Sequence, residues 1–347
     1  MKIVVDINHP KDILFFKNFI WQMEKKGHII QITASKKDVS YTLLRNYGFK
    51  FISLGSYGVS LFDKLINIFN LDYKMLLAIK NFHPDMFLGF GSIRAAHISF
   101  LLRKPCINLD DSEPSPQEHL LYVPFSKYIL TPMSFKKNLG KKQIRFNGYI
   151  ELAYLHPNYF KPNPTVLDQL GLKVGERYSV VRFVSWSASH DIGRYGINNN
   201  EKEILIKKLE KYGPVFISSE KTINSFLDKY RLKIRPDYLH DLLYYSSLFV
   251  GDGQTMATEA ALLGVPAIRC NSFVGENDMS NFIDLEKKYG LMYNFADFNQ
   301  VINKIDYLFS QSNLKNQWLK KRDKLLRDKI DVTQYLINFI EKYPNIC

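Results

Sequence analysis

Cysteine is scarce in this chain. Cys106, Cys270 and Cys347 stand far apart and form no CxxC pair. That spacing excludes a disulfide framework and a sulfur-ligated zinc site. Cys106 and Cys270 lie in apolar, strand-like runs and read as buried thiols of a reducing cytoplasm. Long apolar runs are also missing, since no uninterrupted stretch reaches the roughly 18 residues a membrane span needs. The amino terminus, "MKIVVDINHP", turns polar too soon for a signal peptide. The expectation is a cytoplasmic protein, with a peripheral place at the inner face of the cell membrane as the alternative to a free one. Arginine-rich arms, zinc-finger spacings and RNP-like aromatic motifs are absent, which argues against a nucleic-acid partner. Acidic residues are outnumbered: 34 Asp and Glu stand against 47 Lys and Arg, a formal net charge of +13. A surplus of that sign suits phosphorylated small molecules or an anionic membrane surface. The plain alternative is solubility in a basic proteome.

Apolar side chains are plentiful. Of 347 residues, 46% are hydrophobic and 14% aromatic, which suits two globular domains better than one core. The first half alternates strands with amphipathic helices. "KIVVDI", "HIIQITA", "DMFLGFG", "KPCINLDD" and "SKYILTP" read as strands; "DILFFKNFIWQMEKKG" and "KKDVSYTLLRNYG" read as helices closed by glycine. The alternation breaks over His156–Glu176, where Pro157, Pro162 and Pro164 fall, and restarts at "YSVVRFV". "PVFISS", "LFVGDG" and "PAIRC" continue the strands, with "EKEILIKKLEKYG", "YLHDLLYYSS" and "TMATEAALLG" as helices between them. Strand–helix alternation predicts α/β domains with parallel sheets and right-handed crossovers. The expected division is 1–155, a linker at 156–176, a second domain at 177–330, and a terminal helix at 331–347 that packs back on the first domain. Two doubly wound domains facing a cleft would line it with residues that directly follow strands.

Those residues supply the candidate chemistry. After the first strand come Asp6, Asn8, His9 and Lys11. His9 reads as a substrate contact or general base, because an ordinary imidazole titrates near neutrality. The alternative is a polar loop whose Asp12 caps the next helix. In "LGFGSIRAA", Gly91 and Ser92 open a helix whose backbone N–H groups suit an anion, or else form a packing turn. "INLDDSEP" brings Asp110, Asp111 and Glu113 together, as cleft carboxylates for acid–base work or as a cap cluster. No histidine with ligand spacing accompanies them, so no metal is expected. "VRFVSWSASHDIGRYG" offers Arg182, Ser185, Trp186, Ser189 and His190 as donors and a flat surface for a diphosphate. Ser218 and Ser219 end another strand and suit a nucleobase contact. In "FVGDGQTMATEAALLGVPAIRC", Gly253, Gln254, Thr255 and Met256 start a helix on a glycine turn, with Glu259 set behind it and Arg269 on the following strand. The turn suits phosphate, and Glu259 suits ribose hydroxyls. The alternative for Glu259 is a buried carboxylate paired with Lys or Arg.

The stretch "YLHDLLYYSSLFVGDGQTMATEAALLGVPAI" resembles the donor-binding segment of GT-B glycosyltransferases and of UDP-N-acetylglucosamine 2-epimerases. Gly253, Glu259, Ala260, Leu263, Gly264 and Pro266 carry that likeness. With "DINHPKDILFFKN", "GFGS", "NLDDSE" and "VVRFVSWSASHDIG", in that order along the chain, the whole resembles a glycosyltransferase-like family of unknown function found in bacteria and archaea. The resemblance implies a GT-B-like fold of two Rossmann-like domains, an acceptor-side first domain and a second domain that holds a nucleotide sugar as substrate. It implies a ribose contact for Glu259, phosphate contacts for Gly253 to Thr255, and a glycan or lipid-linked acceptor. The epimerases carry an arginine-containing turn where this chain has Asn8-His9-Pro10, and a Glu-Ala-Gly-Leu-Arg type segment where it has Asp110–Glu113. The expectation is therefore a metal-independent glycosyltransferase of cell-surface polysaccharide or glycolipid synthesis, with no cofactor. An epimerase-like enzyme and a non-catalytic nucleotide-sugar-binding protein are the alternatives. His9 and Asp111 are the expected bases; Arg182, His190 or Arg269 would stabilise the leaving diphosphate. "VSLFDKLINIFNLDYKMLLAIKNF" reads as a basic amphipathic helix, either resting on anionic lipid or burying its apolar side on the sheet.

Overall fold

The structure of the protein is a computed structural model. It describes residues 1–56, 61–113, 115–184, 194–219, 225–275 and 278–343, with side chains from residue 67 onward in the helix Leu61–Ile79. The chain divides into two compact units, Met1–Tyr159 with Ile330–Cys347, and Phe160–Lys329.

The first unit is built on a seven-stranded sheet. Its strands are β1 (Lys2–Ile7), β2 (Ile29–Ser35), β3 (Phe51–Gly55), β4 (Met86–Phe90), β5 (Cys106–Leu109), β6 (Tyr128–Pro132) and β7 (Gln143–Phe146). They lie in the order β3-β2-β1-β4-β5-β6-β7, and every pairing is parallel. Central strands are covered on both faces, so Ile3, Val4 and Val5 form a continuous apolar run with no exposure. The helix Pro10–Lys25 follows β1. Pro10 opens it, His9 and Asp12 form a capping box, and Gly27 at φ +83° closes the turn beyond it. Its Ile13, Phe16, Ile20 and Met23 face the core.

The last helix, Val332–Lys342, belongs to this unit. Asp331 caps it by accepting from the backbone N–H of Gln334 at 2.9 Å. Leu336, Ile337 and Ile340 are buried. Thr333 Oγ1 donates to the carbonyl of Ala153 at 2.8 Å, and Asn18 Nδ2 donates to the same carbonyl at 2.9 Å. That shared acceptor ties the chain's end to its first helix.

The second unit carries a five-stranded sheet of β8 (Ser179–Phe183), β9 (Val215–Ser219), β10 (Leu248–Gly251), β11 (Ala267–Cys270) and β12 (Met292–Phe295). The order is β12-β11-β10-β8-β9, again all parallel. Residues 160–176, read from the sequence as linker, fold into this unit: Val166, Leu167 and Leu172 are buried. Both sheets are thus the parallel α/β sheets that the alternation predicts. β3, β7 and β12 escape the sequence reading, and each is an edge strand.

Candidate functional site

In open parallel sheets, ligands bind beyond the carboxyl ends of the strands, where the strand order reverses. That point lies between β1 and β4 in the first unit and between β8 and β10 in the second. Both places carry residues singled out above.

In the first unit the register sets Asp6 beside Thr33 on β2 and Gly89 on β4. Asp6 has no exposure. Its carboxylate accepts from Thr33 Oγ1 and Ser92 Oγ at 2.6 Å, from Asn8 Nδ2 at 3.0 Å and from Arg94 Nε at 2.9 Å. Arg94 is buried as well and donates to Ser35 Oγ at 2.6 Å. The expected substrate roles of Asp6 and Ser92 are therefore corrected. Both are interior, and Ser92 also caps its helix by accepting from the N–H of Ala95 at 3.1 Å. Gly91, at φ +53°, donates its N–H to the carbonyl of Leu109, so the GFGS turn is a packing turn here. A Cβ at Gly89 would lie 2.4 Å from that of Ser92.

His9 is solvent-exposed at the start of its helix. Its Nδ1 accepts the N–H of Lys11 at 3.2 Å. Desolvation, then the charges of Lys37 and Lys11, push its pKa down, so the ring is neutral near pH 7. Its exposure limits the desolvation without changing the sign. A neutral ring with Nδ1 accepting carries its proton on Nε2. His9 thus presents an Nε2–H donor in this tautomer, and the neutral ring is also the form that the expected general base requires. Lys11 Nζ pairs with the Asp111 carboxylate and lies 4.9 Å from the centroid of the Phe90 ring. Burial disfavours its charge, but Asp111 and Glu151 outweigh burial and raise its pKa.

The acidic cluster separates by role. Asp110 is buried, and its oxygens accept from Ser112 N–H, His119 Nε2 and the Tyr122 hydroxyl. Lys137 Nζ donates to His119 Nδ1 at 2.9 Å, which fixes the ring with its proton toward Asp110. Asp110, expected as a catalytic carboxylate, holds this loop through those three bonds. Glu113 accepts from the Lys136 N–H at 2.5 Å. Asp111 keeps partial exposure.

In the second unit the register sets Gly251 beside Arg182 on β8 and Arg269 on β11. Asp252 is buried; it accepts the Val184 N–H at 2.9 Å, and Asn271 Nδ2 holds its carbonyl at 2.9 Å. This brings the turn so close to β8 that a Cβ on Gly253 would lie 2.8 Å from Val184 Cγ1. The helix Thr255–Leu262 then starts without a side-chain cap at Gln254, and Thr255 is exposed while Met256 is buried. Its first-turn N–H groups have no partner of helical origin. Glu259 is buried, and His240 Nε2 lies 3.0 Å from its Oε1, where Lys or Arg was the expected alternative. Arg182 is partly exposed and donates to Ser218 Oγ at 2.7 Å, with Ser219 partly exposed beside it. Arg269 is not exposed at all. It pairs with Asp278, donates to Asn294 Oδ1 at 2.9 Å and lies over the Phe282 ring, so its expected diphosphate role is corrected. Ser185, Trp186, Ser189 and His190 lie outside the described residues. Among the described residues, no three His, Cys, Asp or Glu side chains gather in a way that could hold a metal ion.

The chain belongs to the family described as "Protein of unknown function (DUF354)", which matches residues 1–338. An uncharacterised protein of Methanocaldococcus jannaschii is 25% identical over 280 residues, 77% of this chain and 80% of that protein. Solved structures with the same fold include the UDP-GlcNAc 2-epimerase of Neisseria meningitidis bound to UDP-GlcNAc, at TM-score 0.67 and 13% identity, over 99% of this chain and 100% of that one. A spinosyn rhamnosyltransferase complexed with thymidine diphosphate matches at TM-score 0.61 and 12% identity, over 99% and 100%. The fold is therefore that of GT-B glycosyltransferases and UDP-GlcNAc 2-epimerases.

Proposed function

We propose that the protein is a glycosyltransferase that takes a nucleoside-diphosphate sugar and passes the sugar to a glycan or lipid-linked acceptor of cell-surface polysaccharide or glycolipid synthesis. One observation carries the reading. An uncapped helix N-terminus stands at the switch point of the second sheet, with the buried, His240-held Glu259 on the same helix. Free N–H groups and the helix dipole favour a diphosphate, and the carboxylate suits ribose hydroxyls. The neighbours support the nucleotide class, since one was solved with UDP-GlcNAc and another with thymidine diphosphate. In the reaction, the acceptor hydroxyl attacks the anomeric carbon, the bond to the diphosphate oxygen breaks, and the hydroxyl proton goes to a base. Asp111 is the proposed base. In the first unit His9 Nε2–H is the proposed acceptor-side donor; in the second, Arg182 with the helix N-terminus is the proposed place of the diphosphate.

A second reading is an epimerase acting on the sugar nucleotide alone; the epimerase fold match, at TM-score 0.67, favours it. Incubation with UDP-N-acetylglucosamine separates the two. Conversion to the manno epimer without acceptor supports the second reading. Transfer only with an acceptor, lost in Asp111→Asn, supports the first. Wild-type transfer in Asp111→Asn would remove Asp111 from the mechanism.

A further inference from the structure

The helix Leu61–Ile79 buries Leu71, Met75 and Ile79 on the first sheet. That inward stripe is all a crossover helix needs. Yet Phe69, Tyr73 and Leu77, four residues apart, form another apolar line and are 78%, 61% and 52% exposed. The neighbouring helix Ile93–Leu101 ends in Phe100 and Leu101, 64% and 62% exposed. A recess of about 530 Å³ opens where the two helices end, lined by Leu76, Leu77, Pro84 and Leu102 with Lys80 and Lys104. Leu77 belongs to both the exposed line and the recess, so the two form one surface. Lys80 and Lys104 are exposed at its lining, and Arg103, next to Lys104, is exposed as well. Asp72, an acid on the same helix, is taken up by His97 at 2.8 Å. Apolar and cationic groups thus share one face without a competing free carboxylate from Asp72.

We infer that this face docks on an anionic lipid bilayer, with Phe69, Tyr73 and Leu77 in the headgroup boundary and Lys80 and Lys104 on lipid phosphate. Exposed aromatic and aliphatic side chains beside lysines match the two layers of such a surface. The recess gives an acyl chain an apolar place next to the ammonium groups. No helix among the described residues is long and apolar enough to cross a membrane, so the contact is peripheral. The recess sits where residues 80–84 lead into β4 and 102–104 lead into β5, at the amino-terminal edge of the sheet. The proposed reacting groups follow the carboxyl ends of β1 and β5. The surface is therefore an anchor separate from the chemistry, and the inference stands whether or not transfer is the reaction.

Co-sedimentation of the full chain with vesicles tests this. Vesicles of phosphatidylcholine are compared with vesicles of phosphatidylcholine and phosphatidylglycerol, for the wild type and for two double variants, Phe69→Ser/Leu77→Ser and Lys80→Gln/Lys104→Gln. All four substituted side chains are exposed, and unchanged melting confirms the fold. The expected result is at least about tenfold tighter binding to the anionic vesicles, and a loss of at least about tenfold in each variant. The inference is overturned by no binding to anionic vesicles, by equal binding to both kinds, or by unchanged binding in the lysine variant. It is also overturned by a dimer that Phe69→Ser/Leu77→Ser dissolves, since a second copy would then cover the face.

Discussion

His240 Nε2 stands 3.0 Å from Glu259 Oε1, and both side chains are buried. The helix Leu239–Tyr245 thus aims the carboxylate of the helix Thr255–Leu262. Removing the donor takes one hydrogen bond away from a buried carboxylate. We expect His240→Ala to lose about 1–3 kcal/mol of stability, read by urea denaturation. A midpoint equal to the wild type would contradict this link.

Asp6 and Arg94 form the deepest ion pair among the described residues of the first unit, with 0% and 1% exposure. Breaking a buried pair on one side leaves an uncompensated charge and typically costs about 3–5 kcal/mol. Arg94→Met should show that loss in chemical denaturation, and Asp6→Leu/Arg94→Met should regain part of it. A single variant as stable as the wild type would show that the pair is not needed to hold β1 to the helix after β4.

Gly253 is a question of space. A Cβ there meets Val184 Cγ1 at 2.8 Å, and a β-branched valine has little freedom to move aside. Gly253→Ala should keep the fold and weaken nucleotide binding by displacing the turn, and Val184→Ala should restore it. Full binding by Gly253→Ala alone would remove the turn from the site.

His97 has acceptors on both ring nitrogens, Asp72 Oδ2 at 2.8 Å and the Leu121 carbonyl at 3.0 Å. Only the imidazolium can donate to both. Its pKa is raised, first by the hydrogen bond to Asp72, against partial burial. The sign follows from linkage. The contribution to stability is fully present below the ordinary histidine value of 6.5 and is lost as pH rises through the folded value above it. An NMR titration should place His97 above 6.5, and His97→Gln should flatten the fall of melting temperature over that window. A titration below 6.5 would reverse the assignment.

The central strands were legible because burial on both faces leaves an unbroken apolar run, as in Ile3 to Val5 or Leu248 to Val250. The edge strands β3, β7 and β12 were not, because partly or fully exposed residues interrupt that run. The glycine turn before Thr255 was legible from local spacing. The partners that decide its chemistry were not. His240 lies on the preceding helix, and Arg94 sits inside an apolar helix and reaches Asp6 across 88 residues of sequence. The same limit misread Arg269, whose partner Asp278 comes from a following loop. For His9, sequence marked the place but not the tautomer, which the capping hydrogen bond sets.

The central claim is that the second unit holds a nucleoside diphosphate through the turn at Gly253 and the carboxylate of Glu259. Isothermal titration with UDP, thymidine diphosphate and the other nucleoside diphosphates tests it on the wild type and Glu259→Gln. The account predicts saturable binding of at least one of them by the wild type, weakened about tenfold, near 1.4 kcal/mol, in Glu259→Gln. No binding of any nucleoside diphosphate, or equal affinity in the two proteins, would contradict it.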